Sequence, residues 1–192
     1  MMPRILETIV TTLNADGSAH LVPFGLIEEG EHYIVAPFRP SPTIANLERH
    51  PFLAAAAPID IRVIAGCVTG RRGWATCPCE RIEGVRLAEA FAHMELAVEE
   101  VVADEVRPRF RCRIVHQGLH HSFLGYNRAQ AAVLEAAILS TRLHMLSPDK
   151  IRTEMDYLRI AITKTAGDAE LEAWQWIEEK ILAGTALAGS SG

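Results

Sequence analysis

Thr8-Ile9-Val10-Thr11-Thr12-Leu13-Asn14-Ala15-Asp16-Gly17, running on to Pro23-Phe24-Gly25, is the stretch that decides the fold. Residues 5–13 are rich in Ile, Val and Thr, which suit a pleated, half-buried strand. Asp16-Gly17 is a tight-turn dipeptide, and 19–27 predicts the returning strand. Glu29-Gly30-Glu31 makes a second turn before the apolar run Tyr33-Ile34-Val35-Ala36. Three short strands within about 30 residues predict a barrel or sandwich. Next comes Ser41-Pro42-Thr43-Ile44-Ala45-Asn46-Leu47. It predicts a helix over 42–50, with Ser41 at the N-cap and Pro42 at the first helical position. Phe52 to Ala57 is expected as a fourth, buried strand, although Ala54-Ala55-Ala56-Ala57 is a weak strand former.

Downstream the pattern is uneven. Gly66, Gly70 and Gly73 with Arg71-Arg72 predict a mobile loop within 64–82. Residues 83–102 fit a helical period through Leu87, Phe91, Met94, Val98 and Val101, and a strand period through Met94, Leu96 and Val98. Arg107, Arg109, Arg111 and Arg113 alternate with Phe110, Cys112 and Ile114, a clean period of two. The stretch is therefore expected as a hairpin of 93–102 and 107–117 turning at Asp104-Glu105, with at most a short helix at 84–91. Glu95, Glu99 and Glu100 would then neutralise the arginines across the strands.

From Asn127 the period becomes helical. Asn127 caps a helix to about 143, with Leu134, Ala137, Ile138 and Thr141 on one face. Ser147-Pro148-Asp149 opens a second, whose stripe is Ile151, Met155, Leu158 and Ile162. A third starts near Asp168 and carries Leu171, Trp174, Ile177 and Ile181. The fold class is α+β: a mainly antiparallel β-barrel over 1–122, a helical layer over 123–183, and a flexible tail over 184–192.

Bulk properties narrow the function. The 192 residues are 49% hydrophobic, enough for a sizeable core, and the net charge of −5 offers no general basic surface for nucleic acid. The arginine strand has one interleaved aromatic, Phe110, so no nucleic-acid role is assigned to it. Four cysteines in a chain this long do not form a disulfide framework. The N-terminus lacks the apolar core of a signal peptide, and no window approaches the roughly 18 apolar residues of a membrane span. The expectation is a soluble cytoplasmic protein with no membrane partner. Cys77-Pro78-Cys79 with His116, His120 and His121 does not have the usual zinc spacing, so no metal is assigned.

The chain resembles the FMN-binding split-barrel superfamily, which includes flavin reductases and pyridoxamine-phosphate-oxidase-like proteins. The resemblance rests on Glu7-Thr8-Ile9-Val10-Thr11-Thr12, Asp16-Gly17, Pro23-Phe24-Gly25 and Thr43-x-x-Asn46-Leu47. It continues through Asn127-Arg128-Ala129, Glu135-Ala136, Thr141-Arg142-Leu143-His144 and Lys164-Thr165 before Glu170, and so covers most of the chain. These later residues are similar to an uncharacterised branch of archaea and methylotrophic bacteria with a C-terminal helical extension. The resemblance implies FMN as cofactor, a homodimer with the flavin at the interface, and flavin-dependent oxidoreduction. A nicotinamide, a pterin or a deazaflavin would be the small redox partner. A flavin carrier or sensor without turnover is the alternative, as is a flavin-free structural barrel. The chain departs from the pattern at His20, Pro40-Ser41, Ala54–Ala57 and Ala166-Gly167, and each change removes a possible flavin contact of the relatives.

Ser41, Thr43 and Asn46 place hydroxyl and amide groups around a helix N-terminus, where free backbone N–H groups favour an anion such as the flavin phosphate. Arg39 adds a charge-assisted contact. His20, Val22, Pro23, Phe24 and Gly25 are expected along the isoalloxazine edge, with Gly25 allowing the ring to approach closely. Thr11 and Thr12 are expected in the same pocket. Asn127, Arg128 and Lys164 are the contacts that the resemblance implies from the helical part. No catalytic acid, base or nucleophile is identifiable.

Overall fold

The computed structural model of the protein describes residues 3–189, which divide into two compact units. The first holds the chain to Ile59 and Trp74–Phe123; the second holds Asp60–Gly73 and the chain from Leu124.

In the first unit, β1 (Ile5–Leu13), β2 (Ala19–Glu29) and β3 (His32–Val35) form the expected meander. The β1–β2 turn is held by Gly17 N–H donating to Asn14 O at 3.0 Å and by the Asp16 carboxylate accepting from Ser18 N–H at 2.9 Å. Gly17 sits at φ +81°, a backbone that L side chains rarely adopt, so Asp-Gly is the sequence this turn needs. Helix α1 (Pro42–Arg49) precedes β4 (Phe52–Pro58). Then come β5 (Thr76–Pro78), β6 (Val85–Leu87), β7 (Ala90–Val102) and β8 (Arg109–Leu119). Six strands close an antiparallel barrel in the order β1-β2-β3-β8-β7-β4, while β5 and β6 pair as a separate ribbon. The alanine run is the closing strand: Ile9, Val10 and Thr11 pair with Ala56, Ala55 and Ala54, and β7 pairs on its other edge. Leu53 and Ala55 face the core with Val10, Leu26, Val35, Leu96, Phe110 and Cys112. Ile44 and Leu47 of α1 join the same core, so the helix plugs the barrel.

The β7–β8 hairpin forms as expected and is longer at its open end, while at the turn β8 begins at Arg109 rather than at 107. The arginines are neutralised differently: Arg111 and Arg109 meet Glu29 at 3.1 and 3.8 Å, and Arg113 meets Glu99 at 3.1 Å. Glu95 takes no part in this and is buried elsewhere. The short helix expected at 84–91 does not form. Those residues make β6 and the start of β7, because Val85–Leu87 pair with Thr76–Pro78.

The second unit contains α2 (Arg62–Val68), α3 (Arg128–Ser140), α4 (Pro148–Thr165) and α5 (Asp168–Gly189). Helix α2 stands where a loop was expected. The Asp60 carboxylate accepts from Arg62 N–H at 2.9 Å, and the Arg62 guanidinium pairs with Asp60 and with Glu172 of α5. The buried face of α3 is Ala129, Ala132, Val133, Ala136, Ala137 and Ser140, rotated from the expected one, since small residues let α4 and α5 approach closely. In α5 the buried residues include Ala173, Trp174, Ile177 and Ile181, while Leu171 is exposed. The helix continues to Gly189; of the expected tail, residues 190–192 lie outside the described residues.

Candidate functional site

Period two separates Thr11 from Thr12, because successive strand side chains point to opposite faces. Thr12 Oγ1 meets α1, where Asn46 Nδ2 donates to it at 3.0 Å and to Asn14 Oδ1 at 3.1 Å. Arg49 donates to Asn46 Oδ1 at 3.4 Å and reaches the Leu13 carbonyl, so the Asn46 amide is fully engaged within the chain. Asn46 locks the helix onto the β1 end. Thr11 Oγ1 faces the other way, is buried and has no hydrogen-bond partner. It borders a cleft of about 10 Å³ lined by Ala54 and Ile82–Val85, which has room for about one water. Both threonines line this cleft, but their hydroxyls serve different partners: Thr12 Oγ1 is bonded to α1 and Thr11 Oγ1 is not bonded.

At the start of α1, Ser41 occupies the N-cap position but its side chain makes no capping bond. Thr43, in the first turn, is fully buried, and its hydroxyl has no partner. A buried hydroxyl without a hydrogen bond costs about 1–3 kcal/mol. Pro42 has no N–H and Ile44 N–H donates to the Ser41 carbonyl at 3.1 Å, which leaves Thr43 N–H as the first-turn amide without an intrahelical acceptor. Among the described residues, then, this corner offers donors that the chain itself does not use. Arg39 stands beside it, 3.8 Å from Glu48 and donating to the Asp104 carbonyl at 3.4 Å. An anionic oxygen group fits this donor set.

The β2 residues lie along the β1 edge: His20 opposite Thr12, Val22 opposite Val10, Pro23 opposite Ile9, Phe24 opposite Thr8 and Gly25 opposite Glu7. The Phe24 carbonyl accepts from the Thr8 hydroxyl at 3.1 Å. Gly25 is required by the chain itself, since a Cβ there would stand 2.6 Å from Ile5 Cγ2 and 3.3 Å from Glu7 Oε1. Asn127, Arg128 and Lys164 belong to the second unit. Asn127 caps α3, accepting from Ala129 N–H at 2.7 Å and Gln130 N–H at 3.2 Å, and donates to the Thr165 carbonyl at 3.3 Å. Arg128 and Lys164 are exposed, at the start of α3 and in the last turn of α4.

A second cluster joins His120, His116 and Cys79, singled out in the sequence, to His93 and Glu95, which were not. His93 and Glu95, two apart on β7, have fully buried side chains. The Glu95 carboxylate accepts backbone N–H bonds from Glu80, Arg81 (2.7 Å) and Ile82 (3.0 Å). Burial alone would push its pKa up; these bonds and the His93 contact outweigh that and hold it below the ordinary glutamate value. A carboxylate only accepts, so His93 Nε2 carries the hydrogen across their 3.3 Å contact. Burial lowers the His93 pKa, so the ring is neutral and Nδ1 is its lone-pair atom. His120 Nε2 lies 2.9 Å from that Nδ1. Opposite His93 stands Gly118, where a Cβ would fall 2.5 Å from His93 Cε1. Burial, then the Glu95 charge, pushes the neighbouring Cys79 thiol up to about 12.

Two family models match the chain. The N-terminal domain of a protein of unknown function, DUF447, matches residues 6–121, and a second DUF447 model matches 127–179. No curated protein matches. Among solved structures, an FMN-bound protein from Methanosarcina mazei, described with the same family, superposes with TM-score 0.78 at 22% identity. That likeness covers 93% of this chain and 95% of the other. A 2-nitrobenzoate 2-nitroreductase from Pseudomonas fluorescens gives TM-score 0.52 at 16% identity, over 62% and 66% of the two chains. A flavoredoxin from Methanosarcina acetivorans gives 0.52 at 15%, over 65% and 72%. The likeness establishes a shared barrel fold.

Proposed function

The chain belongs to the DUF447 family, and from that premise we propose that it is an FMN-binding protein that carries out flavin-dependent oxidoreduction. The observation that carries the reading is the fully buried, unpartnered Thr43 hydroxyl in the first turn of α1, beside an N-cap serine that caps nothing. That arrangement suits a phosphate, and the related barrel of Methanosarcina mazei is FMN-bound. The Ser41 and Thr43 hydroxyls and the Thr43 amide would hold the phosphate, with Arg39 adding charge. His20 and the Val22–Gly25 strand are assigned to the ring edge. Asn46 acts indirectly, by fixing the helix.

The flavin would supply the redox chemistry, and the polypeptide its binding and orientation. The reading includes a homodimer with FMN at the interface, a reduced nicotinamide or another small redox partner, and a cytoplasmic setting. The free thiols of Cys77, Cys79 and Cys112 are consistent with that setting. None of the described helices is long and apolar enough to cross a membrane.

Thr43→Val tests the assignment with opposed signs. It removes an unsatisfied hydroxyl, so the flavin-free protein keeps or gains stability. It also removes a phosphate donor, so FMN affinity falls about tenfold, the value of one hydrogen bond to a charged group. A variant that loses stability and binds FMN as the wild type does would overturn the assignment. Oxidation of NADH or NADPH by the flavin-loaded protein separates the oxidoreductase from a carrier.

A further inference from the structure

We propose that the outer wall of the barrel carries a divalent transition-metal site, with Glu80, His93 and His116 as protein ligands and zinc as the ion suited to them. One donor atom from each of these residues lies within 4.8 Å of the other two. Two imidazoles and one carboxylate, with a position left open, form a donor set characteristic of zinc.

Three features show that the place is built. First, the buried Glu95 carboxylate holds one nitrogen of His93, the arrangement that orients a metal-binding imidazole and raises its basicity. Three backbone N–H groups in turn fix Glu95, so the His93 ring has little freedom. Second, His116 Nε2 is shielded from solvent and makes an ion-pair contact with Glu80 Oε2 at 2.9 Å whose geometry is not that of a hydrogen bond. An imidazole nitrogen and a carboxylate oxygen brought this close, in poor hydrogen-bond geometry, suit a cation that both can bind. Third, Gly118 leaves the space that the His93 ring occupies.

A hydrogen-bonded chain from His120 through His93 to Glu95 accounts for His93, while His116 Nε2 has only its contact with Glu80. The metal accounts for both. Bonds of about 2.0–2.1 Å place tetrahedral ligands roughly 3.3 Å apart. Glu80 and His116 therefore separate by a few tenths of an ångström, while a donor pair as far as 4.8 Å apart closes by up to about 1.5 Å, and the two partly exposed residues, rather than the fixed His93, make these movements. The β-bulge between Glu95 and Leu96 sets this register, pairing Glu95 with His116 while Leu96 pairs with Ile114.

The test is equilibrium dialysis of the flavin-loaded protein, stripped with a chelator and returned to micromolar zinc, with the metal counted by mass spectrometry. The wild type is expected to hold one zinc per chain and to melt at a higher temperature with zinc than with chelator. His116→Asn and Glu80→Gln are each expected to weaken zinc binding tenfold or more. Their FMN content and melting temperature in chelator should match the wild type, which shows that they fold. A wild type that holds no zinc under these conditions overturns the proposal. So does zinc binding of unchanged affinity in both variants.

Discussion

Replacing Glu95 with glutamine is the sharpest structural perturbation, because the carboxylate is buried and every bond it makes is known. One oxygen accepts from Arg81 and Ile82 N–H at 2.7 and 3.0 Å; the other accepts from Glu80 N–H and faces His93 Nε2 at 3.3 Å. Glutamine keeps one acceptor oxygen and puts an NH₂ group in place of the other. If the oxygen serves Arg81 and Ile82, the NH₂ confronts Glu80 N–H and the His93 N–H, donor against donor. At least one buried N–H loses its acceptor, at about 1–3 kcal/mol, and the remaining bonds lose their charge assistance. The expected cost is about 3 kcal/mol, with hydrogen exchange at residues 80–82 accelerating accordingly. The companion variant is Glu99→Gln. Its carboxylate meets His32 at 3.0 Å and Arg113 at 3.1 Å but is 39% exposed, so its loss is expected to cost below about 1 kcal/mol. Urea unfolding of both variants against the wild type provides the comparison. Equal costs for the two, or unchanged exchange at 80–82, would refute the account of Glu95 as the anchor of the 80–82 segment.

Other consequences follow from single contacts. Asn46→Ala removes the bonds to Thr12, Asn14 and Arg49 and is expected to cost about 2 kcal/mol in urea unfolding, with α1 amides exchanging faster than the barrel strands. Gly118→Ala forces a methyl to 2.5 Å from His93 Cε1, so it should lose about 1–3 kcal/mol, largely recovered when His93 is also shortened to alanine. Burial, reinforced by the Glu99 charge, pushes the Cys112 thiol up to about 12. An alkylating reagent at pH 8 should therefore leave Cys112 unmodified in the folded protein and label it only after unfolding, as read by peptide mass mapping.

The barrel was legible wherever local chemistry and tertiary packing agree. The β1–β2 turn was readable because Asp16-Gly17 is nearly the only solution for that backbone. The β7–β8 hairpin was readable because the arginine alternation has a period of two. Helix α4 was readable because Ser147 caps it, accepting from Lys150 N–H at 3.3 Å, and Ile151, Met155 and Ile162 are buried as spaced. Helix α2 was hidden: Val63, Ile64 and Gly66 are poor helix formers, and packing against α5 overrides propensity. The face of α3 was misjudged because alanines carry little hydrophobic signal, yet they are the residues its neighbours press upon.

The phosphate corner was visible as Ser41 and Thr43, but only the structure distinguishes Asn46, which fastens the helix, from Thr43, which lacks a partner. Thr11 and Thr12 are adjacent in sequence and face opposite sides. His93 and Glu95 stayed hidden because 83–102 fits two periods and because Glu95 is held by backbone amides, which leave no mark in a sequence. Two ionisable residues spaced i, i+2 in an otherwise apolar run were the available signal.

The central claim is that this barrel carries FMN. Its most direct test is the visible absorption spectrum of the purified protein, followed by mass identification of the released chromophore. The account predicts a flavin spectrum and FMN at about one per chain, by retention or by uptake of added FMN. A colourless protein that takes up no added FMN would contradict it.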